Sequence, residues 1–195
     1  MTIAYTLNDT FRLLPRPQIR QLAQHDEADL RDLLLGLDGP SRASRFSGTM
    51  KEASLIQYAH SAISSAAFIA GAYIDGRIRG VVEIYDSAGG DFSEAAFVVH
   101  QDWRRRGIGF ALLQVAQKWC TESRRSTLRM VFERCNMPMR KLANKAAAQI
   151  DLLMDEIVAD VEIGPPGANG ANPFLAQPVA DLAQVFKVHA GRECR

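Results

Sequence analysis

Little in this sequence invites a metal, a membrane or a polyanion. Cysteine occurs only three times in 195 residues. Cys120, Cys135 and Cys194 have no metal-ligand spacing and form an odd set, which suits free thiols in a reducing cytoplasm. No apolar run approaches a membrane span, and Asn8, Asp9 and Thr10 so soon after Met1 do not make a secretion signal. Charge of one sign is also scarce: the formal net charge is +1, so nothing global drives the chain toward nucleic acid. Two glycine motifs are missing. No Gly-x-x-x-x-Gly-Lys-Ser/Thr supports a nucleotide P-loop, and a dinucleotide fingerprint would need a third glycine near Leu112. No internal repeat or low-complexity tract stands out.

What is present is an ordinary globular composition, 47% hydrophobic and 23% charged, on a chain long enough for one α/β domain with its own core. The chain is organised around residues 97–113. Phe97-Val98-Val99 is an apolar run suited to a buried strand, and it breaks over a polar turn containing Arg104, Arg105 and Arg106. Apolar residues then resume at helical spacing through Leu112, Leu113, Ala116 and Trp119. A strand that turns tightly into a helix leaves the first helical N–H groups without partners. With the helix dipole they attract a phosphate or pyrophosphate. Gly107 and Gly109, on either side of Ile108, let the main chain approach such a ligand closely. The pattern predicts an anion cradle.

Taken in order, residues 1–17 read as an arm ending in Pro15-Arg16-Pro17. A strand is expected over 18–23. Asp26 can cap a helix bearing Leu30, Leu33, Leu34 and Leu37, which Gly39-Pro40 would stop. Thr49 and Glu52 fit a capping box for a second helix. Residues 66–73 and 77–85 read as a hairpin about Asp75-Gly76. Beyond the organising stretch come a strand over 126–132, a helix over 138–147, and a last hairpin turning at Asp155-Glu156. Residues 164–170 are a Gly/Pro linker by composition. Val179, Leu182, Val185 and Phe186 share one face of a short helix in the 164–195 tail. Helices interleaved with two hairpins imply a mixed sheet.

Three elements in order resemble one family, the GNAT-type N-acetyltransferases. Arg104, Gly107 and Gly109 match its acyl-coenzyme A motif, Gln/Arg-x-x-Gly-x-Gly/Ala. Upstream, Ser93-Glu94-Ala95-Ala96-Phe97-Val98-Val99 is similar to its acid-bearing strand. Downstream, Asn136-Met137-Pro138-Met139-Arg140-Lys141-Leu142 is similar to its second signature, Asn-x-x-Met-x-x-Leu. Ser41-Arg42-Ala43-Ser44-Arg45-Phe46 resembles the segment that Pat-type protein lysine acetyltransferases carry between their first two helices.

The resemblance implies a GNAT fold over residues 18–163: a mostly antiparallel sheet of about six or seven strands flanked by about four helices. It implies acetyl-coenzyme A as cosubstrate, with no metal, and a primary amine, a protein lysine or a small molecule, as acceptor. The expected coenzyme contacts are Phe97, Val98, Val99, Arg104, Arg105, Arg106, Gly107, Ile108, Gly109 and Asn136. The strand is splayed from its neighbour in the family, typically by a bulge, so that it can pair with the pantetheine arm. An N–H at Val98 or Val99 would face the thioester oxygen. Glu94 stands where Pat-type enzymes carry a general base, and burial against Phe97 should raise its pKa. His100 and Glu83 are further proton acceptors to place. Cys135 reads as a buried, inert thiol.

There are departures. Ala143 stands where many members carry a tyrosine acid, Ala147-Ala148 replaces the Gly-Phe that closes the helix, and Arg105 replaces a common glycine. A non-catalytic acyl-coenzyme A sensor is the alternative of another class. Membrane and nucleic-acid partners are not expected, and the chain would act as a monomer or homodimer.

Overall fold

The computed structural model describes residues 17–164. The expected tail helix and all but the last residue of the arm lie outside them. Seven strands form one sheet: β1 (Gln18–Gln21), β2 (Phe68–Ile74), β3 (Arg77–Asp86), β4 (Phe92–Val99), β5 (Thr127–Glu133), β6 (Gln149–Leu153) and β7 (Glu156–Glu162). Their order is β1-β2-β3-β4-β5-β7-β6. Every neighbouring pair is antiparallel except β4 and β5, which run parallel. A parallel pair needs a crossover, and α4 (Ile108–Glu122) supplies it.

Alternation along the strands divides the core between the two faces of the sheet. On one face α4 buries Ile108, Leu112, Leu113, Ala116 and Cys120 against Val82, Ala95, Leu128 and Met130, joined by Ala143 of α5 (Met137–Lys145). On the other, α1 (Glu27–Leu35) and α3 (Glu52–Ser65) bury Leu30, Leu33, Leu34, Leu55 and Ala59 against Ile69, Val81 and Val98. The β2–β3 turn is the expected one, with Asp75 and Gly76 both at positive φ (51° and 72°).

Several local expectations are corrected. Gly39-Pro40 does not simply stop a helix: it opens α2 (Gly39–Phe46), where Asp38 accepts the N–H of Ser41 and Pro40 occupies the first turn. Proline removes a donor that has no helical partner there, so the same residue serves either signal. The Thr49–Glu52 box does not form, because the N-cap of α3 is Lys51. Asp26 precedes α1 without a capping bond from its side chain. Its carboxylate instead accepts from the N–H of Ala23 at 2.9 Å and from Arg20 at 2.6 and 2.8 Å. The last hairpin turns at Met154 and Asp155, one residue early. The helix end at Ala147-Ala148 closes without glycine: Ala147 takes φ 53° and the N–H of Ala148 reaches the carbonyl of Ala143 at 3.0 Å.

Candidate active site

The turn expected as a cradle lies between β4 and α4. A 3₁₀ turn (Gln101–Trp103) follows β4, Arg105 adopts φ 59°, and Gly107 caps α4 at φ 83°, a conformation that glycine takes without cost. The N–H of Ala111 reaches the carbonyl of Gly107 at 3.0 Å, so the N–H groups of Ile108, Gly109 and Phe110 ahead of it are the unpaired first turn. A Cβ on Gly109 would meet only a Val99 methyl, at 3.9 Å. The protein's own packing therefore leaves that position open. Ile108 is buried and anchors the turn to the core. Arg104, Arg105 and Arg106 are exposed. Arg106 lies over the Trp103 ring at 4.6 Å, with Arg79 over it at 4.8 Å.

The strand leading into this turn is forked. β4 pairs with β5 only at Phe92, Ser93 and Glu94, opposite Thr127, Leu128 and Arg129. From Ala95 to Val99 it has no partner on that side. Against β3 its register is unbroken, from Ser93 opposite Asp86 to Val99 opposite Gly80, so the expected bulge is absent there. The direction of each main-chain group follows from alternation. The N–H of His100 donates to the carbonyl of Arg79 at 2.9 Å, which turns the even-numbered residues toward β3. Val99 faces the opening, and its carbonyl accepts from Arg104 Nε at 3.2 Å. Ala95 and Phe97, with the N–H of Val99, thus offer the free groups, while Val98 is committed to β3. Of the two expected thioester partners, Val99 turns its N–H to the opening and Val98 turns its own to β3.

Glu94 is the last paired residue before the fork. In register it stands between Tyr85 on β3 and Arg129 on β5. Its carboxylate has no hydrogen bond or ion pair among the described residues. Burial pushes its pKa up from 4.5 to about 7, against the opposing pull of Arg129 and then Arg45, with Glu156 adding to the rise. A carboxylate tuned this way holds or accepts a proton near neutrality.

Glu83 shares that face, one pair further along β3, opposite Ala96. It is fully buried and belongs to a polar cluster that the sequence did not reveal. Tyr85 donates to its Oε2 at 2.8 Å, Tyr58 of α3 donates to the same oxygen, and Arg45 Nη2 of α2 lies 3.0 Å from Oε1. Burial, then the Glu83 charge, raises both phenols above their ordinary range. With its charge matched by Arg45, Glu83 is a fixed anchor, and Glu94 is the carboxylate left available.

The α2 helix spans the mouth of the fork. Its Ser41 Oγ accepts from Arg104 Nη2 at 2.5 Å, and its Ser44 Oγ accepts from Asn136 Nδ2 at 2.8 Å. Asn136 also caps α5, accepting the N–H of Met139 at 3.1 Å. Two expected coenzyme contacts are therefore already held by one helix. His100 lines the turn, its Nδ1 accepting the N–H of Asp102 at 3.4 Å. Cys135 is exposed rather than buried, its Sγ donating to Glu133 at 3.7 Å. The buried thiol is Cys120, which burial pushes up to about 12. Among the described residues no group of three or more His, Cys, Asp or Glu could hold a metal ion, and no helix is long and apolar enough to cross a membrane.

The model of the Acetyltransferase (GNAT) family matches residues 33–147. No curated protein matches the chain. Among solved structures, the GNAT domain of PAT from S. lividans is similar at TM-score 0.65 and 18% identity, over 75% of this chain and 90% of that one. A putative acetyltransferase from Salmonella typhimurium with its cofactor acetyl-CoA gives TM-score 0.62 and 13% identity, over 81% and 100%. The PaiA N-acetyltransferase from Thermoplasma acidophilum in complex with coenzyme A gives 0.61 and 16%, over 76% and 99%. At these identities the likeness is one of fold.

Proposed function

Because this chain belongs to the GNAT acetyltransferase family, we propose that it transfers the acetyl group of acetyl-coenzyme A directly to a primary amine, that of a protein lysine. One observation carries the reading: β4 parts from β5 immediately after Glu94 and runs, with a free edge, into the unpaired first turn of α4. That edge suits the pantetheine arm and that turn suits a diphosphate, so one ligand satisfies both.

In this reading the N–H groups of Ile108, Gly109 and Phe110 hold the diphosphate, and the exposed Arg104, Arg105 and Arg106 draw it in. Arg104 exchanges Ser41 for a phosphate oxygen. Phe97 and Val99 pair with the pantetheine, and the N–H of Val99 or Phe97 stabilises the charge that develops on the thioester oxygen. Asn136 adds a contact to the arm. An alkyl ammonium has a pKa near 10.4, so about one molecule in a thousand is free base at neutral pH. Glu94, poised near 7, takes the proton as the amine attacks. The thiolate leaves without a tyrosine acid, since Ala143 is fully buried and offers no proton. The exposed Asp151 and Glu156, on the Glu94 face of the last hairpin, favour a cationic acceptor.

Calorimetry and thiol release test this together. Acetyl-coenzyme A should bind with measurable heat, and lysine peptides should release thiol faster than free amino acids or spermidine. No heat would remove the coenzyme reading. Heat without thiol release from any amine would make the chain a sensor, and faster turnover of a small amine would move the acceptor away from protein.

A further inference from the structure

Glu94 belongs to a single row of side chains that crosses five strands. In register, Tyr85 (β3), Glu94 (β4), Arg129 (β5), Asp160 (β7) and Gln149 (β6) stand side by side on one face. Arg129 is thus the immediate neighbour of two carboxylates, and it is bonded to only one. Its Nε and Nη2 donate to the two oxygens of Asp160 at 2.8 and 2.7 Å, and both side chains are buried. Its guanidinium also lies 4.3 Å from the centroid of the Phe92 ring, two residues before Glu94 on the same face. The planar fork is held by two bonds to Asp160 and by the Phe92 ring, and none of these contacts is to Glu94.

We propose that Asp160 is a positioning residue for the transfer: by holding Arg129 in a buried two-point bond, it keeps that cation from pairing with Glu94 and leaves the carboxylate free to take a proton. The proposal rests on the reading of Glu94 as base. Among the described residues no other group on this face performs the task. Arg45 is engaged by Glu83, with Tyr58 and Tyr85 bonded to the same carboxylate. Glu156 and Asp151 carry the same sign as Glu94 and cannot neutralise it. Arg129 alone combines full charge with register contact, and Asp160 is its one ion-pair partner among the described residues. A guanidinium released beside Glu94 would lower the carboxylate's pKa and weaken it as a base.

The test reads Glu94 itself, not turnover alone. The carboxyl carbon of Glu94, assigned by its loss in Glu94→Gln, is titrated by NMR in the full chain. In Asp160→Asn its midpoint should fall by about one unit or more, and the rise of kcat/KM with pH should move down with it. Asp160→Glu, which keeps an acceptor for Arg129, should restore most of the shift. Should Asp160→Asn not fold, Arg129→Lys decides, because an ammonium keeps the charge but cannot make the two-point bond; its midpoint should fall as well. A folded Asp160→Asn, or in its place a folded Arg129→Lys, that titrates at the wild-type midpoint overturns the proposal. Full turnover in Glu94→Gln would instead sink the reading of the base, and leaves the midpoint measurement standing as a separate result.

Discussion

A carboxylate held unpaired near the core should cost the fold stability, and Glu94→Gln measures that cost. Below pH 4.5 the carboxyl is protonated in both folded and unfolded chains and makes no difference. Between 4.5 and about 7 the unfolded chain gives up its proton first, so folding stability falls as pH rises; above 7 the whole difference has been lost. At about 1.4 kcal/mol per unit, the displacement corresponds to roughly 3 kcal/mol. Glu94 is partly exposed, and solvent screening trims the figure to about 2 kcal/mol. Glutamine has no proton to lose. Urea unfolding of wild type and Glu94→Gln should therefore agree near pH 4.5 and diverge toward pH 8, the variant becoming more stable by about 2 kcal/mol with an unchanged m-value. Turnover should move the opposite way, falling by about 10²-fold or more. The Glu94 contribution to the wild-type kcat/KM should rise with unit slope below pH 7 and level off above it. A stability difference that stays flat from pH 4.5 to 8 would refute the reasoning, because Glu94 would then have no raised pKa to lend to catalysis.

Three further expectations address other parts of the site. Gly109→Leu places a side chain where only a Val99 methyl stands nearby; thermal melting should change by no more than about 2 °C, while calorimetric affinity for coenzyme A falls at least about tenfold. Glu83→Gln leaves the buried guanidinium of Arg45 uncompensated and should destabilise by about 3 kcal/mol in urea, whereas the paired change Arg45→Met with Glu83→Leu should cost clearly less. Ala147→Gly relieves a left-handed alanine at the end of α5, and should raise stability by about 1 kcal/mol on the same assay.

What was legible in the sequence is what chain-local chemistry dictates. The turn into α4 could be read because a tight strand-to-helix turn constrains the backbone, and Gly107 at positive φ records that constraint directly. The Asp75-Gly76 turn was visible for the same reason: it acts within a few residues of itself. Signals with two local meanings were misread. Pro40 ends one helix and begins another with equal right, and Thr49 lost to Lys51 because an exposed helix start tolerates several cap residues. Cys135, with no histidine near it in sequence, reads as an inert core thiol, yet it sits in the exposed approach to α5.

The chemistry that tunes the carboxylate could not be read this way, because it exists only across strands. Glu94, Arg129 and Asp160 are neighbours through one parallel and one antiparallel register, and a slip of one residue in either would turn a partner to the other face. Glu83 and Arg45 meet from a strand and a helix that are 38 positions apart in the sequence. The fork itself is also a register fact: pairing stops after Glu94 while the β3 side continues without a shift. Opening the sheet on one side only frees the main chain of Phe97 and Val99 for a ligand. It also leaves Glu94 bounded by one strand pair and open beyond it. The same geometry thus leaves a free strand edge and keeps the Glu94 carboxylate reachable from it, so a change that re-zips β4 to β5 should close that edge and bury Glu94 further. A larger β-branched pair facing across the gap, Ala96→Val with Val131→Ile, is the direct trial: coenzyme binding should weaken while the Glu94 midpoint moves up, and a folded variant in which the midpoint stays put or falls would refute the link between the fork and the carboxylate.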